Sequence, residues 1–349
     1  MTKKIHLEIL RIIAIIFVVF NHTSGFYLYG SQKYDSAQYW IYTFISIFIK
    51  CAVPIFLMIS GGLLLAKEEG IKDTWKRVGR IALTLLVVSI FYYIHNRIVY
   101  KTPLNFKDFM TKFYMCKINT HLWYLYLYIG FLISLPLLRK FAKNLTTKEF
   151  IYMFCIAVIF INIIPSIDFL RWNNKITLNN NIKVTWIAGN MVLFPMVGYF
   201  IEHRLDMEKF RKKITAMWIV NIVCLIFTCF LTYKSMKLRG TAGMQTYISY
   251  FVIINAFSVY VTVKTLCDRY KIGNGVSRVI ASIGSCTFGV YLFHIAIKDR
   301  PFMTKFTSNM IAAGMNRMLV YFIITLVIVV ITTAIIWVVR KIPGFKKLL

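Results

Sequence analysis

Long apolar runs separated by short basic segments recur along the whole chain. Ten of them are legible, at about 7–28, 39–66, 81–98, 121–138, 150–166, 185–202, 214–233, 244–266, 280–297 and 317–339. Runs of this length match the roughly 17–25 residues an α-helix needs to cross the hydrocarbon layer. The predicted fold class is therefore all-α: a polytopic integral membrane helical bundle of about ten transmembrane helices. No repeat of fixed period is visible, and no linker is long enough to separate domains, so residues 1–349 read as one membrane domain.

The first run follows a basic start, MTKK, as a signal peptide would. It is too long for one, carries Arg11, and lacks a small-residue cleavage site at its end. A retained first helix with a cytoplasmic N-terminus is expected instead. Ten spans then return the C-terminus to the cytoplasm. On that orientation the segments 67–80, 139–148, 204–213, 264–278 and 340–347 lie inside, and inner segments carry more Lys and Arg than outer ones, as positive-inside topology requires. The expected location is the cell (cytoplasmic) membrane, with several passes.

Composition agrees. The chain is 58% hydrophobic and 16% charged, with a mean hydropathy of +0.65; a soluble protein needs more charge to cover its surface. The net charge of +29 sits mostly in the short connections, so it reads as topology charge facing a lipid bilayer, and no nucleic-acid partner is expected. The seven cysteines form no C-x-x-C pair and lie mostly in apolar runs, where Cys behaves as a small hydrophobe. No H-E-x-x-H pattern or tight acidic cluster is present, and no metal site is expected.

Against that background the polar residues inside apolar runs stand out. The stretch LRIIAIIFVVFNHTSG, residues 10–25, contains Arg11 and His22. Eleven residues is about three helical turns, so the two share a face about 16 Å apart along the axis. An Arg inside a span costs about 2.5–3.5 kcal/mol unless it reaches the interface or a partner. Both outlets exist here: Arg11 lies near the cytoplasmic boundary, and Glu8, three residues earlier on the same face, can pair with it. His22 lies deeper from that side, either as a hydrogen-bonded core residue or as a member of a site.

Further polar positions carry the same two readings. Lys50 lies inside the second span near Pro54, whose missing N–H frees a carbonyl; it is a site candidate or an outward-reaching cation. Ser60, Gly61 and Gly62 read more as close helix packing than as catalysis. Arg77 and Arg80, at the inner mouth of the third span, are either topology charge or a phosphate-capturing pair, since guanidinium groups bind phosphate bidentately. His121 and Trp123 open the fourth span at its outer end, where Trp anchors at the interface or stacks on a sugar face. Tyr291 and His294 lie near the outer end of the ninth span.

The spacing of Arg11 and His22 resembles the first helix of the membrane acyltransferase-3 family. KCAVPIFLMISGGLLL (50–65), KRVGRI (76–81), HLWYLYLYIGFLISLP (121–136) and SCTFGVYLFHIAI (285–297) are similar to that family's later landmarks and occur in its order. Residues 140–280 are similar in hydropathy alone. The resemblance implies an acyl-CoA-dependent O-acyltransferase that moves an acyl group, expected to be acetyl from cytoplasmic acetyl-CoA, to a hydroxyl of an envelope or exported saccharide. His22 is then the general base and Arg11 its catalytic partner, positioning the donor or stabilising developing charge. Arg77, Arg80 and Lys50 would hold the donor. His121, Trp123, Tyr291 and His294 would bind the saccharide, with Glu8 and Ser60 in support. The alternative is a transporter or glycan exporter without acyl transfer, because intramembrane Arg, Lys and His also line transport paths. It lacks the paired, broken spans expected of inverted repeats.

Overall fold

The computed structural model describes residues 4–25, 36–184, 190–239 and 251–345. Among them the secondary structure is helical throughout, with no strand. Eight helical stretches are long and apolar enough to cross a membrane, from Ile5–Thr23 to Arg317–Val339. The two remaining expected spans are also helices. The sixth is Asn190–His203 and the eighth is Val252–Arg269; expected span residues 185–189 and 244–250 lie outside the described residues.

In chain order the elements are α1 (Ile5–Phe20), α2 (Ala37–Phe48), α3 (Ala52–Leu64), α4 (Ile71–Val99), α5 (Phe106–Tyr114), α6 (Trp123–Asn144), α7 (Thr147–Val158), α8 (Ile164–Trp172), α9 (Asn190–His203), α10 (Met207–Arg211), α11 (Ile214–Arg239), α12 (Val252–Arg269), α13 (Asn274–Lys298), α14 (Pro301–Ala312) and α15 (Arg317–Val339). The second span is thus not one helix. A 3-10 turn at Ile49–Cys51 joins α2 to α3, and Pro54, lacking an N–H, leaves the Lys50 carbonyl without its i+4 partner. Three helices in the connections, α5, α10 and α14, were not expected. Asn105 caps α5 by accepting from Asp108 N at 2.9 Å, and Phe109 packs inward while Phe106 and Tyr114 face out. That helix is too short for a span and carries too few apolar residues to read as one.

Helix α1 runs through the centre, packed on α13, α3, α15 and α12. Its apolar side chains Leu10, Ala14, Ile15 and Val19 belong to one core that extends to Ile324 and Ile328 on α15. The closest helix pair is α3 with α9, and glycine makes that approach possible. A Cβ on Gly61 would strike the Pro195 carbonyl, and one on Gly198 would strike the Met58 carbonyl. Small residues at such crossings allow backbones in a bilayer to meet closely, so the packing reading of Gly61 holds.

Glu202, at the end of α9, fastens the N-terminus to the bundle. Its carboxylate accepts from Lys4 Nζ at 2.7 Å, His6 Nε2 at 2.9 Å and Lys264 Nζ at 3.2 Å. A carboxylate this buried is tolerated because it is surrounded by donors.

Candidate functional site

The site begins where α1 ends. Asn, Thr, Ser and Gly are poor helix formers, and over Asn21–Gly25 the helix widens into a π turn. Thr23 Oγ1 donates back to the Val19 carbonyl at 2.5 Å and lies 2.9 Å from Thr325 Oγ1 on α15. A hydroxyl bonding to the i−4 carbonyl competes with the regular ladder, and π turns recur at functional positions. This turn carries His22.

A cavity of about 360 Å³ opens beside α1. Arg11 and His22 both line it, as their common face predicts. Arg77 and Arg80 of α4 line it too, with Ser60 of α3, His121 and Trp123 at the start of α6, and Tyr291 of α13. Helix geometry orders these groups: the start of α4 lies by the N-terminal half of α1, whereas the start of α6 and the late stretch of α13 lie by its C-terminal end. The wall between is apolar and aromatic. It includes Val53, Phe56, Ile59 and Leu63 of α3, Tyr124 and Tyr128 of α6, and Phe288 of α13. Tyr124 and Tyr128 stack at 5.8 Å. Such a lining, with few polar groups, is typical of small-molecule sites.

At the arginine end, Glu8 pairs with Arg11 as expected, Nη1 to Oε1 at 2.6 Å. Gly284 of α13 lets the Glu8 carboxylate lie against that helix, because a Cβ there would strike Oε2. Arg77 grips Glu69 with two bonds, Nε at 3.1 Å and Nη2 at 2.5 Å. Arg139 of α6, which the sequence presented as ordinary topology charge, is buried and also holds Glu69, at 2.8 Å. It also donates to the Leu64 and Glu69 carbonyls. Together they draw the Glu69 carboxyl down to about 2, the hydrogen bond from Arg77 being the largest cause. Arg80 is exposed and has no ion pair among the described residues.

At the histidine end, His121 is buried. Its Nε2 donates to the Leu292 carbonyl at 3.2 Å, and its Nδ1 lies 2.8 Å from Asn119 Oδ1. Tyr291 donates its hydroxyl to the His121 carbonyl at 2.5 Å, and Tyr92 donates to the Leu292 carbonyl at 2.8 Å. Neither tyrosine of this frame stood out in the sequence as a hydrogen-bonding group; a phenol reaching another helix's carbonyl leaves no local pattern.

Three assigned residues lie off the cavity wall. Lys50 is buried and donates to Asn21 Oδ1 at 2.7 Å: the 3-10 turn points it to the end of α1, not to the cavity wall. Glu8 stands behind Arg11. His294 is fully buried and stands behind His22, with ring centroids 5.2 Å apart. His22, His121 and His294 form one cluster, the other two centroid separations being 6.4 Å and 5.4 Å. Among the described residues no group of His, Cys, Asp and Glu is arranged to hold a metal ion.

A family model described as an acyltransferase domain matches residues 5–340, nearly the whole chain. No curated protein matches significantly, and no solved structure does.

Proposed function

The chain belongs to the acyltransferase-3 family and is a multi-pass membrane acyltransferase, and on that premise we propose that it transfers an acyl group, acetyl in the first instance, from acyl-CoA to a saccharide hydroxyl. The observation that carries this reading is that Arg11, His22 and the Arg77–Arg80 pair, distant in sequence and on two helices, line one cavity.

Arg80 and, by exchange with Glu69, Arg77 bind the donor's phosphates. The pantetheine arm lies along the apolar wall toward His22. The eleven-residue spacing leaves Arg11 about three turns from His22, too far for its guanidinium to stabilise an oxyanion formed there. It holds the donor's arm instead. His22 accepts the proton of the acceptor hydroxyl as the oxygen attacks the thioester carbonyl. The tetrahedral intermediate collapses, the carbon–sulfur bond breaks, and the proton on His22 passes to the departing thiolate as CoA leaves. Tyr291, Trp123 and His121 form the wall nearest the acceptor, where aromatic faces can stack on sugar rings.

The reaction needs the cytoplasmic face of the cell membrane at the arginine end and the acceptor at the other. Protein purified into nanodiscs, given acetyl-CoA and a saccharide acceptor, should release CoA and form a base-labile ester without any membrane gradient. His22→Ala should lose both, by about 10²–10⁴-fold in rate. Gradient-dependent saccharide movement with no ester formed by the wild type would establish the exporter instead.

A further inference from the structure

The fully buried ring of His294 is held by its own helix. Nδ1 donates to the Tyr291 carbonyl at 2.8 Å and lies 3.1 Å from the Val290 carbonyl. A proton at Nδ1 leaves Nε2 as a bare lone pair in the neutral ring, and Nε2 has no hydrogen-bond partner among the described residues. Buried acceptors are almost always satisfied, so the identity of the donor is a real question. Three rings approach that of His294: His22, His121 and Tyr291. The hydroxyl proton of Tyr291 goes to the His121 carbonyl. His121 spends its Nε2 proton on the Leu292 carbonyl and has its Nδ1 against Asn119. His22 alone of the three makes no side-chain hydrogen bond among the described residues, and it is also the nearest, at 5.2 Å. Two imidazoles joined by an N–H···N bond of about 2.9 Å have centroids about 5 Å apart. At the observed 5.2 Å the separation suits such a bond, and χ2 of His22, which orients the ring, is a soft torsion.

We propose that His294 is a positioning residue for His22: its Nε2 accepts the proton of one His22 nitrogen and thereby leaves the other, facing the cavity, bare. This rests on the acyl-transfer reading, in which His22 must accept a proton. His294 enters no covalent step and touches no substrate. It fixes one tautomer of the base, and when His22 becomes protonated its second N–H is already held.

Two amides separate this role from packing. His294→Asn keeps a donor for the Tyr291 carbonyl but does not reach His22, whereas His294→Gln places an amide oxygen near the position of Nε2. With membrane abundance matched, His294→Asn should lose about 10²-fold in kcat with KM for acetyl-CoA and for the saccharide unchanged, and His294→Gln should recover at least tenfold of that. Equal rates for the two variants, or a raised KM with kcat intact, would overturn the proposal. A second readout needs no turnover. In protein labelled with 15N-histidine, the His22 ring, assigned by its loss in His22→Gln, should show one fixed tautomer in the wild type and a mixture in His294→Asn. The same tautomer balance in both would refute the positioning role even if acyl transfer were established. A fixed tautomer in wild type that loses its order in His294→Asn, with no transfer by either, would uphold the hydrogen bond and reject the acyl-transfer reading.

Discussion

At the scale of the residue, the exchange of one polar group for a near-isostere separates chemistry from packing. His22→Gln keeps hydrogen-bonding capacity but cannot take up a proton near neutral pH, so it should be as inactive as His22→Ala while inserting normally. Arg11→Lys keeps a cation for the Glu8 carboxylate, 2.6 Å away, but not the planar fork. Its KM for acetyl-CoA should rise about tenfold with little change in membrane abundance, and steady-state kinetics against donor concentration read both. Normal transfer by His22→Gln would return His22 to the core. Arg11 and His22 were legible in the sequence because polar groups in an apolar run carry a cost that a partner or a task must offset. The direction in which a buried side chain points was not. Lys50 and His294 both sit in the apolar runs the sequence marked, yet each turns away from the cavity, one to Asn21 and one behind His22. One-dimensional spacing ranks residues by face within a helix; it says nothing of which neighbour covers that face.

At the scale of the element, the turn between α3 and α4 is a strap across the arginine end of the cavity. Glu69 occupies both arms of the Arg77 fork and one of Arg139, while Arg80, one turn further along α4, carries no ion pair among the described residues. On the proposed donor-binding reading, a phosphate meets Arg80 first and gains Arg77 by displacing a carboxylate. Arg80→Ala should raise KM for acetyl-CoA with kcat preserved, as remote binding contacts do, and Glu69→Gln should lower KM by loosening Arg77. An unchanged KM in both variants would make the pair topology charge. The sign with pH follows from Glu69, whose carboxyl falls from 4.5 to about 2 chiefly through Arg77. In the folded protein Glu69 therefore stays ionised down through the ordinary carboxylate range and protonates only near pH 2. The stability the strap contributes is complete above about 4.5 and declines as pH falls from there to about 2, so Glu69 contributes no titration of KM between pH 6 and 8. The sequence showed Arg77 and Arg80 as an equivalent pair. Their difference comes from Glu69, which sits beyond the end of the apolar run, and from Arg139, whose helix continues past Pro136 to Asn144 where hydropathy alone ends the span.

At the scale of the molecule, the bilayer assigns each end of the cavity to a compartment. Lys4 and Lys264 meet on Glu202 at the end of α9, and Lys143 and Arg139 meet the strap, so the arginine mouth lies at the end of the bundle where these basic residues gather. The polar segment after α8, where Asn173 and Asn174 adopt left-handed backbone, lies at the opposite end of its helix. A reporter fused after Leu349 should therefore read as cytoplasmic, and one inserted at 175–180 as extracytoplasmic. Both follow from the expected cytoplasmic N-terminus together with ten crossings: eight helices meet the length and hydropathy needed, and α9 and α12 are packed among them on α3 rather than lying outside. If α9 and α12 both stopped short of crossing, the termini would still share a side, so the C-terminal reporter alone cannot test them. A third reporter, placed in the connection at 204–213 that follows α9, does. A cytoplasmic signal there fixes an odd number of crossings between 175 and 213, which among the described residues only α9 can supply. An extracytoplasmic signal would remove that crossing and, with it, the placement of Glu202 at the arginine end. An extracytoplasmic signal after Leu349 would put the arginine mouth on the wrong side for a coenzyme made in the cytoplasm, and acyl-CoA could not be the donor.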